Sequence, residues 1–274
     1  MSIKLIVMDM DGTLLNDDHA TIPQRHIDAL LRASERGVKL AVASGRTWSL
    51  LAGVIEQLGR LDYAILANGA AVRDIGSGKS IFEQTIPNSQ ALAIADLLHR
   101  EGLVFEVYCD GQGYVLAADR ERIWSGDFGP TAIQFFDQHT VYAQTSAQAL
   151  AGRGAEKFDV LYVPDEKRQS LRAKVEAFGP VSVTQALRHN MEFNAVGINK
   201  GVALQALAAH LGLTADEVMT FGDAHNDLEM LRWAGWSFAM ANATDEAKAA
   251  ARYITAANHQ AGVAQAVEKY VLGQ

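Results

Sequence analysis

Two aspartates stand two residues apart in the run Asp9-Met10-Asp11-Gly12-Thr13, directly after the apolar stretch Ile3 to Met8. In extended backbone both carboxylates would leave the same face. Held that close they repel one another, so keeping both ionised calls for a cation, and an all-oxygen donor set of this kind suits Mg²⁺. Asp-Gly is also an ordinary turn pair. A turn, however, gives no reason for the earlier aspartate at the end of a buried strand.

Three other places carry groups of the same chemical interest. Ser44-Gly45-Arg46 follows the apolar run Lys39 to Ala43. It offers a hydroxyl and a close backbone approach at the start of an expected helix, which makes an anion cradle. An ordinary N-cap serine and turn glycine would read the same way. Lys200, in Asn199-Lys200-Gly201, puts a cation at the entry to a helix expected from Gly201 to Leu211, where the helix dipole disfavours it. An exposed lysine is the plain alternative. Gly222-Asp223-Ala224-His225-Asn226-Asp227 gathers three polar side chains on one loop. Asp223 suits a metal, Asn226 suits a phosphate or a loop brace, and either Asn226 or Asp227 suits a helix cap. His225 reads as a loop residue, because a hard cation prefers oxygen.

These groups need elements to hold them. Ile3 to Met8, Lys39 to Ala43 and Tyr63 to Ala67 are short apolar runs bounded by turns, as in strands buried on both faces. Between them, Thr21 to Gly37 and Thr47 to Leu58 carry helical periodicity. Strand, helix, strand, helix, strand is the start of a doubly wound α/β fold with a parallel sheet. From about Ile81 to His189 the texture changes to glycine-rich turns, short strands and two clear helices, Asn88 to Arg100 and Asp165 to Phe178. This stretch reads as a separate α+β unit, and the βα rhythm then returns from Met191 to Val271. The reading is a core of residues 1–80 and 190–274 with residues 81–189 inserted.

The sequence of 274 residues, 49% of them hydrophobic, supplies ample core. Its 24 Lys+Arg against 32 Asp+Glu give a net charge of −8, with no basic cluster, so nucleic acid and anionic membrane surfaces are not expected partners. An anionic ligand would need local cations to reverse the field at its site. Cys109 stands alone, which excludes an intrachain disulfide and a multi-cysteine zinc site and points to a reducing, cytoplasmic setting. The apolar run Leu5 to Met8 is too short for a leader or a membrane span.

In order, DMDGT, SGR, the lysine of NKG, and GDAHND resemble the motifs of the haloacid dehalogenase superfamily, and the flanking sequence is similar to its Cof-type sugar-phosphatase branch. ARYIT at residues 251–255, followed by Gly262-Val263, resembles the same branch. The resemblance covers the two core segments and implies a Rossmann-like core with a large α/β cap as the insertion. It implies a Mg²⁺-dependent phosphatase in which Asp9 forms an aspartyl phosphate and Asp11 is the general acid and then the general base. Asp9, the Asp11 carbonyl and Asp223, supported by Asp227, would hold Mg²⁺. Ser44, the amides of Met10 and Gly45, Lys200 and Asn226 would hold the phosphoryl oxygens.

The chemistry agrees with that assignment. Phosphate monoester hydrolysis is among the slowest uncatalysed reactions, and one acid or base worth ~10² to 10⁴-fold does not suffice. A nucleophile, a metal and a cationic cradle are all needed. The expected substrate is a small phosphorylated metabolite, sugar phosphates first, then phosphorylated cofactors such as FMN or pyridoxal phosphate. Phosphotransfer of the mutase kind and a non-catalytic phosphate-sensing module are the other readings. The cap is expected to set specificity and to gate turnover by closing. Asn68-Gly69 reads as a hairpin turn with a minor role toward substrate, and Arg46, Trp124, Arg188, His189 and Glu192 as pocket candidates. Oligomeric state is not legible.

Overall fold

A computed structural model of the protein describes residues 2–123, 134, 137–185 and 189–274. The chain begins β1 (Leu5–Asp9), α1 (Gln24–Glu35), β2 (Lys39–Ala43), α2 (Ala52–Leu58), β3 (Tyr63–Leu66), β4 (Ala71–Asp74) and β5 (Ser80–Glu83). It continues α3 (Asn88–Arg100), β6 (Phe105–Cys109), β7 (Gln112–Leu116), α4 (Arg120–Ile123), β8 (Thr140–Ala143), α5 (Ser146–Leu150), β9 (Lys157–Val160), α6 (Asp165–Glu176), β10 (Val181–Thr184) and β11 (Met191–Ala195). It ends α7 (Lys200–Leu211), β12 (Val218–Gly222), α8 (Leu228–Trp233), β13 (Trp236–Ala239), α9 (Asp245–Ala250), β14 (Tyr253–Ile254) and α10 (Gly262–Val267). Trp124 and Arg188 lie outside the described residues.

These elements form two units. The first comprises residues 1–46, 51–83 and 199–274, and the second residues 47–50 and 84–198. The first is built on an eight-stranded sheet in the order β14-β13-β12-β1-β2-β3-β4-β5. The strands from β14 to β3 run parallel, and β4 and β5 extend the sheet as an antiparallel hairpin. That hairpin was not legible in the sequence, because its residues are partly exposed and lack an apolar run. The turn into it is Ala67-Asn68-Gly69, with φ of 48°, 58° and 103°, so Asn68-Gly69 does form a hairpin turn.

Both faces of the sheet are covered, as its apolar strands require. Leu5, Val7, Ala41, Ala43 and Ile65 pack with Ala203, Leu204, Leu207 and Ala208 of α7. The alternate residues Ile6, Met8, Leu40 and Val42 are equally buried. From β1 the chain winds outward through β2 and β3, then returns on the opposite side through β12, β13 and β14. The winding direction therefore reverses at β1 and β12, and the carboxyl ends of these neighbours form the crevice where ligands bind in such sheets.

The second unit holds a six-stranded sheet in the order β10-β11-β9-β6-β7-β8. It is antiparallel except for the β7–β8 pair. Phe105, Val107, Phe158, Val160, Met191 and Phe193 alternate along β6, β9 and β11 and are all buried. On the alternate positions of the same strands, Glu106, Lys157 and Glu192 are polar and also buried.

α1 carries a buried histidine whose protonation opposes folding. His26 is fully buried, its Nδ1 lies 3.1 Å from the Leu14 carbonyl oxygen, and its Nε2 meets no partner. Burial, reinforced by Arg25 and opposed by the Leu14 bond, pushes its pKa down from 6.5 to about 4. The unfolded chain thus takes up a proton near pH 6.5 that the folded chain resists until near pH 4. Stability is present above pH 6.5 and falls as pH drops through this window. Denaturant titration at pH 7 and pH 4.5 should show an acid loss smaller in His26→Gln than in the parent by on the order of 2 kcal/mol. An equal loss in both proteins would show that other groups set the acid sensitivity.

Candidate active site

The register of the sheet brings the first aspartate to its neighbours. Asp9 pairs with Ala43 of β2, and Met8 pairs with Phe221 of β12, so Ser44 and Asp223 follow their strands beside the end of β1. Asp9, Asp223 and Asp227 each offer a carboxylate oxygen within 4.8 Å of the others. Lys200, fully buried at the first turn of α7, donates from Nζ to Asp9 Oδ1 and, at 2.6 Å, to Asp227 Oδ1. This accounts for a cation at a helix N-terminus: two carboxylates outweigh a dipole term of about 0.3–1 kcal/mol. The helix starts one residue earlier than its pattern indicated, with Asn199 capping it through the Val202 amide at 2.9 Å.

Asp227 uses both oxygens. Oδ1 takes Lys200, while Oδ2 accepts the amides of Asp223 at 3.0 Å and Ala224 at 3.1 Å, closing the loop on itself. Gly222 is required beneath it, because a Cβ there would fall 2.6 Å from that of Asp227. Asp223 accepts the Thr13 hydroxyl at 2.7 Å. A Cβ on Gly12 would sit 2.5–3.0 Å from the Asp223 carboxylate, and Gly12 has a φ of 82°. Glycine is needed there on both counts.

Burial, and then the Asp227 carboxylate, push the Asp9 carboxyl well above its ordinary range, against the pull of Lys200. Burial and Asp227 likewise raise Asp223 to about 6. The lysine moves the other way: burial would lower it, but Asp227 and Asp9 together hold it above its usual value. One buried cation thus serves three clustered carboxylates. The remaining charge and the purely oxygen donor set fit a hard divalent cation held by Asp9 and Asp223 with Asp227 behind them.

Asp11 is set apart from this cluster. The backbone leaves β1 through a tight turn, Met10–Leu14, with Asp11 at φ −80°, ψ 118° and Gly12 left-handed. Its carboxylate accepts Arg46 Nε at 3.1 Å and Nη2 at 2.5 Å, and stands 3.0 Å from His19 Nδ1. Burial works to raise its pKa, but His19 and then Arg46 outweigh it, and the carboxyl lies below its usual range. Asp9 and Asp11 are thus both extended but meet separate partners. The turn replaces continued extended strand, and the two carboxylates meet different cations.

The other expected residues fall as follows. Ser44 is buried, and its hydroxyl accepts the Arg46 amide at 3.1 Å. Met10 is buried directly after Asp9. Asn226 donates to Asn68 Oδ1 at 3.3 Å, which brings the hairpin turn to the loop. Gly45 belongs to a loop rather than to a helix entry. The chain passes through a single turn, Trp48–Leu50, and α2 starts only at Ala52, where the sequence pattern placed a helix from Thr47. His225 is an exposed loop residue 3.2 Å from Glu246. In the second unit, Glu192 binds Lys157 at 2.6 Å and the His189 ring packs on Tyr162. Thr13, His19, Asn242 and Asn258 were not singled out from the sequence. Only Thr13 had a signal there, the last position of DMDGT.

Comparison with known proteins gives the family. A curated relative, 5-amino-6-(5-phospho-D-ribitylamino)uracil phosphatase YcsE of Bacillus subtilis, is 31% identical over 99% of this chain and 97% of its own length. Pyridoxal phosphate phosphatase YbhA of Escherichia coli is 27% identical over 99% and 100%. Among solved structures, a haloacid dehalogenase-like hydrolase from Bacteroides thetaiotaomicron matches with a TM-score of 0.81 at 26% identity, covering 98% of this chain and 99% of that one. No helix among the described residues is long and apolar enough to cross a membrane. Residues 6–267 match the family described as haloacid dehalogenase-like hydrolases, and the chain belongs to that family.

Proposed function

We propose that this hydrolase is a Mg²⁺-dependent phosphatase of small phosphorylated metabolites that works through an aspartyl phosphate. The observation that carries the reading is the buried Lys200, bridging Asp9 and Asp227 beside Asp223. A pure cation-binding site gains nothing from a fixed positive charge among its ligands. A site that must hold a carboxylate against a phosphoryl dianion does.

In this reading an Asp9 carboxylate oxygen attacks phosphorus, and the P–O bond to the leaving group breaks. Asp11 gives its proton to the leaving oxygen, then takes one from the water that attacks the aspartyl phosphate and restores Asp9. Arg46 and His19 fix the Asp11 carboxylate and favour its base form, the form that takes the proton of the attacking water; the acid half of its role requires that Asp11 take up a proton from solvent when the ester binds. Lys200 and Asn226, with Ser44 and the amides of Met10 and Gly45, face the phosphoryl oxygens. Asp9, Asp223 and the Asp11 carbonyl, backed by Asp227, would hold Mg²⁺. When bound, that ion supplies charge neutralisation between the nucleophile and the phosphoryl group.

On the substrate side, the two relatives named above carry a ribityl phosphate and pyridoxal phosphate in their names, both esters of primary alcohols on small polar molecules. These support sugar and sugar-alcohol phosphates as the leading class, with pyridoxal phosphate and FMN as the cofactor alternative. The second unit, which runs from residue 84 to 198 rather than 81–189 because β11 pairs into its sheet, would as an inserted cap set the choice among them.

Phosphate release from such a panel, with and without Mg²⁺, tests the core of the reading. The wild type should release phosphate only with the metal, and Asp9→Asn should lose roughly 10³-fold or more. Binding of a panel member without release would instead favour a sensing module. Asp11→Asn tests the second assignment: alkyl phosphates should slow by about 10²-fold or more, whereas p-nitrophenyl phosphate, whose leaving group needs no proton, should slow far less in the first step. Burst kinetics separate that step from hydrolysis of the intermediate, and equal slowing of it with both esters would remove Asp11 from the acid role.

A further inference from the structure

The turn that carries Asp11 is held from outside the motifs. Asn242, in the loop after β13, donates from Nδ2 to the Gly12 carbonyl at 2.8 Å, and its Oδ1 accepts the Asn258 amide at 3.1 Å. Asn258, fully buried after β14, donates its own Nδ2 to the Leu15 carbonyl and to Asp17 Oδ1, both at 2.9 Å. The two asparagines thus grip residues 12 to 17 at both ends. Their orientation is not interchangeable. A backbone amide can only donate and a carbonyl can only accept, so the Asn242 side chain fits one way round. Neither leucine nor aspartate can meet both groups.

The grip leads directly to the acidic cluster. Fixing the Gly12 carbonyl fixes a left-handed residue on which any Cβ would run into the Asp223 carboxylate, and the next residue, Thr13, donates to Asp223 Oδ1. The same loop that carries Asn242 also supplies the Thr244 amide to the Asp223 carbonyl at 2.9 Å. Asp223 and the Gly12–Thr13 peptide, the one that follows Asp11–Gly12 in the turn, are therefore positioned by one connected set of hydrogen bonds. Asn242 itself is exposed. An exposed side chain contributes little to the core, yet here both of its amide atoms are committed to backbone groups of two loops.

We propose that Asn242, anchored by Asn258, is a positioning residue for the divalent cation: it sets the turn that presents the Asp11 carbonyl and aligns Asp223. This rests on the reading of Asp9, Asp223 and the Asp11 carbonyl as the metal's ligands. Groups that orient metal ligands change affinity by about 10 to 100-fold when removed.

The test is Mn²⁺ binding to the full-length protein, followed by electron paramagnetic resonance without substrate, so that no step of catalysis enters the readout. Asn242→Ala should weaken Mn²⁺ about 10-fold at a temperature where melting curves show it fully folded. Asn16→Ala, which removes a bond to Thr21 on the same segment without touching Gly12, should bind as the wild type does. Asn242→Asp should also weaken binding in spite of its added negative charge, because its carboxylate faces the Gly12 carbonyl. Asp223→Asn reports on the underlying reading. If wild-type binding is lost in Asp223→Asn but unchanged within twofold in Asn242→Ala, the brace is overturned and the metal site stands. If the wild type binds no Mn²⁺, or Asp223→Asn binds it equally well, the metal site and the brace both fall.

Discussion

Everything at this site follows from placing one buried ammonium group among three carboxylates. Lys200 is wholly buried between Asp9 and Asp227. Isolated burial of such an ion would cost several kcal/mol, and only excellent geometry recovers it. The geometry is bought with three rigid parts: the end of β1, the loop after β12 and the first turn of α7. Each is tied to its neighbours by backbone as well as by side chains. Gly201, directly after the lysine, would collide with the Glu229 backbone if it carried a Cβ. Helix α7 therefore sits as near to α8 as backbones permit, and this closeness is what brings Lys200 to Asp227.

The arrangement depends on the point at which the sheet reverses its winding. β1 and β12 are adjacent in space and more than two hundred residues apart in sequence, so the loops that follow them diverge above a shared crevice. Asp9 comes from one and Asp223 and Asp227 from the other. Neither loop alone could hold three carboxylates in contact, since the self-closing bonds of Asp227 already occupy the second loop. Dividing the acids between two strands lets each be fixed by its own loop before they meet. The fixed positions can then carry repulsion that a mobile cluster would relieve by moving apart.

Much of this was legible in the sequence because parallel strands announce themselves and their ends are where chemistry collects. Asp9, Ser44, Asp223, Asn226 and Asp227 were found by standing just past apolar runs, and Lys200 by being a cation where a helix dipole disfavours one. Four things here were not legible. The separate partners of Asp9 and Asp11 arise from the Met10–Leu14 turn, which Gly12, Thr13 and Asn242 hold together. The late start of α2 follows from the loop after Ser44, where a single turn intervenes. The bond from Asn242 to Gly12 spans 230 residues, and no local pattern encodes such a pairing. The edge strand β14 is only two residues long and exposed, so it lacks the apolar run that marks its neighbours.

A second buried lysine shows why motif and spacing found one cation and not the other. Lys157 lies on β9, 2.6 Å from Glu192 on β11 and 4.5 Å from the centre of the Tyr108 ring on β6. Tyr108 and Asn194 stand directly opposite it on the flanking strands, and Asp159 stands opposite both Glu106 and Glu192. Every partner is therefore set by strand register. In the sequence, Glu106, Lys157 and Glu192 look like the solvated half of alternating strands, the ordinary meaning of that pattern. Burial reverses that meaning. A polar residue facing water needs no partner, whereas these need each other, and burial raises the Glu106 carboxyl to about 8 even with Lys157 nearby. Lys200 could be noticed because it breaks a local rule of helix electrostatics. Lys157 obeys every local rule, and only the sheet shows that it is an interior charge.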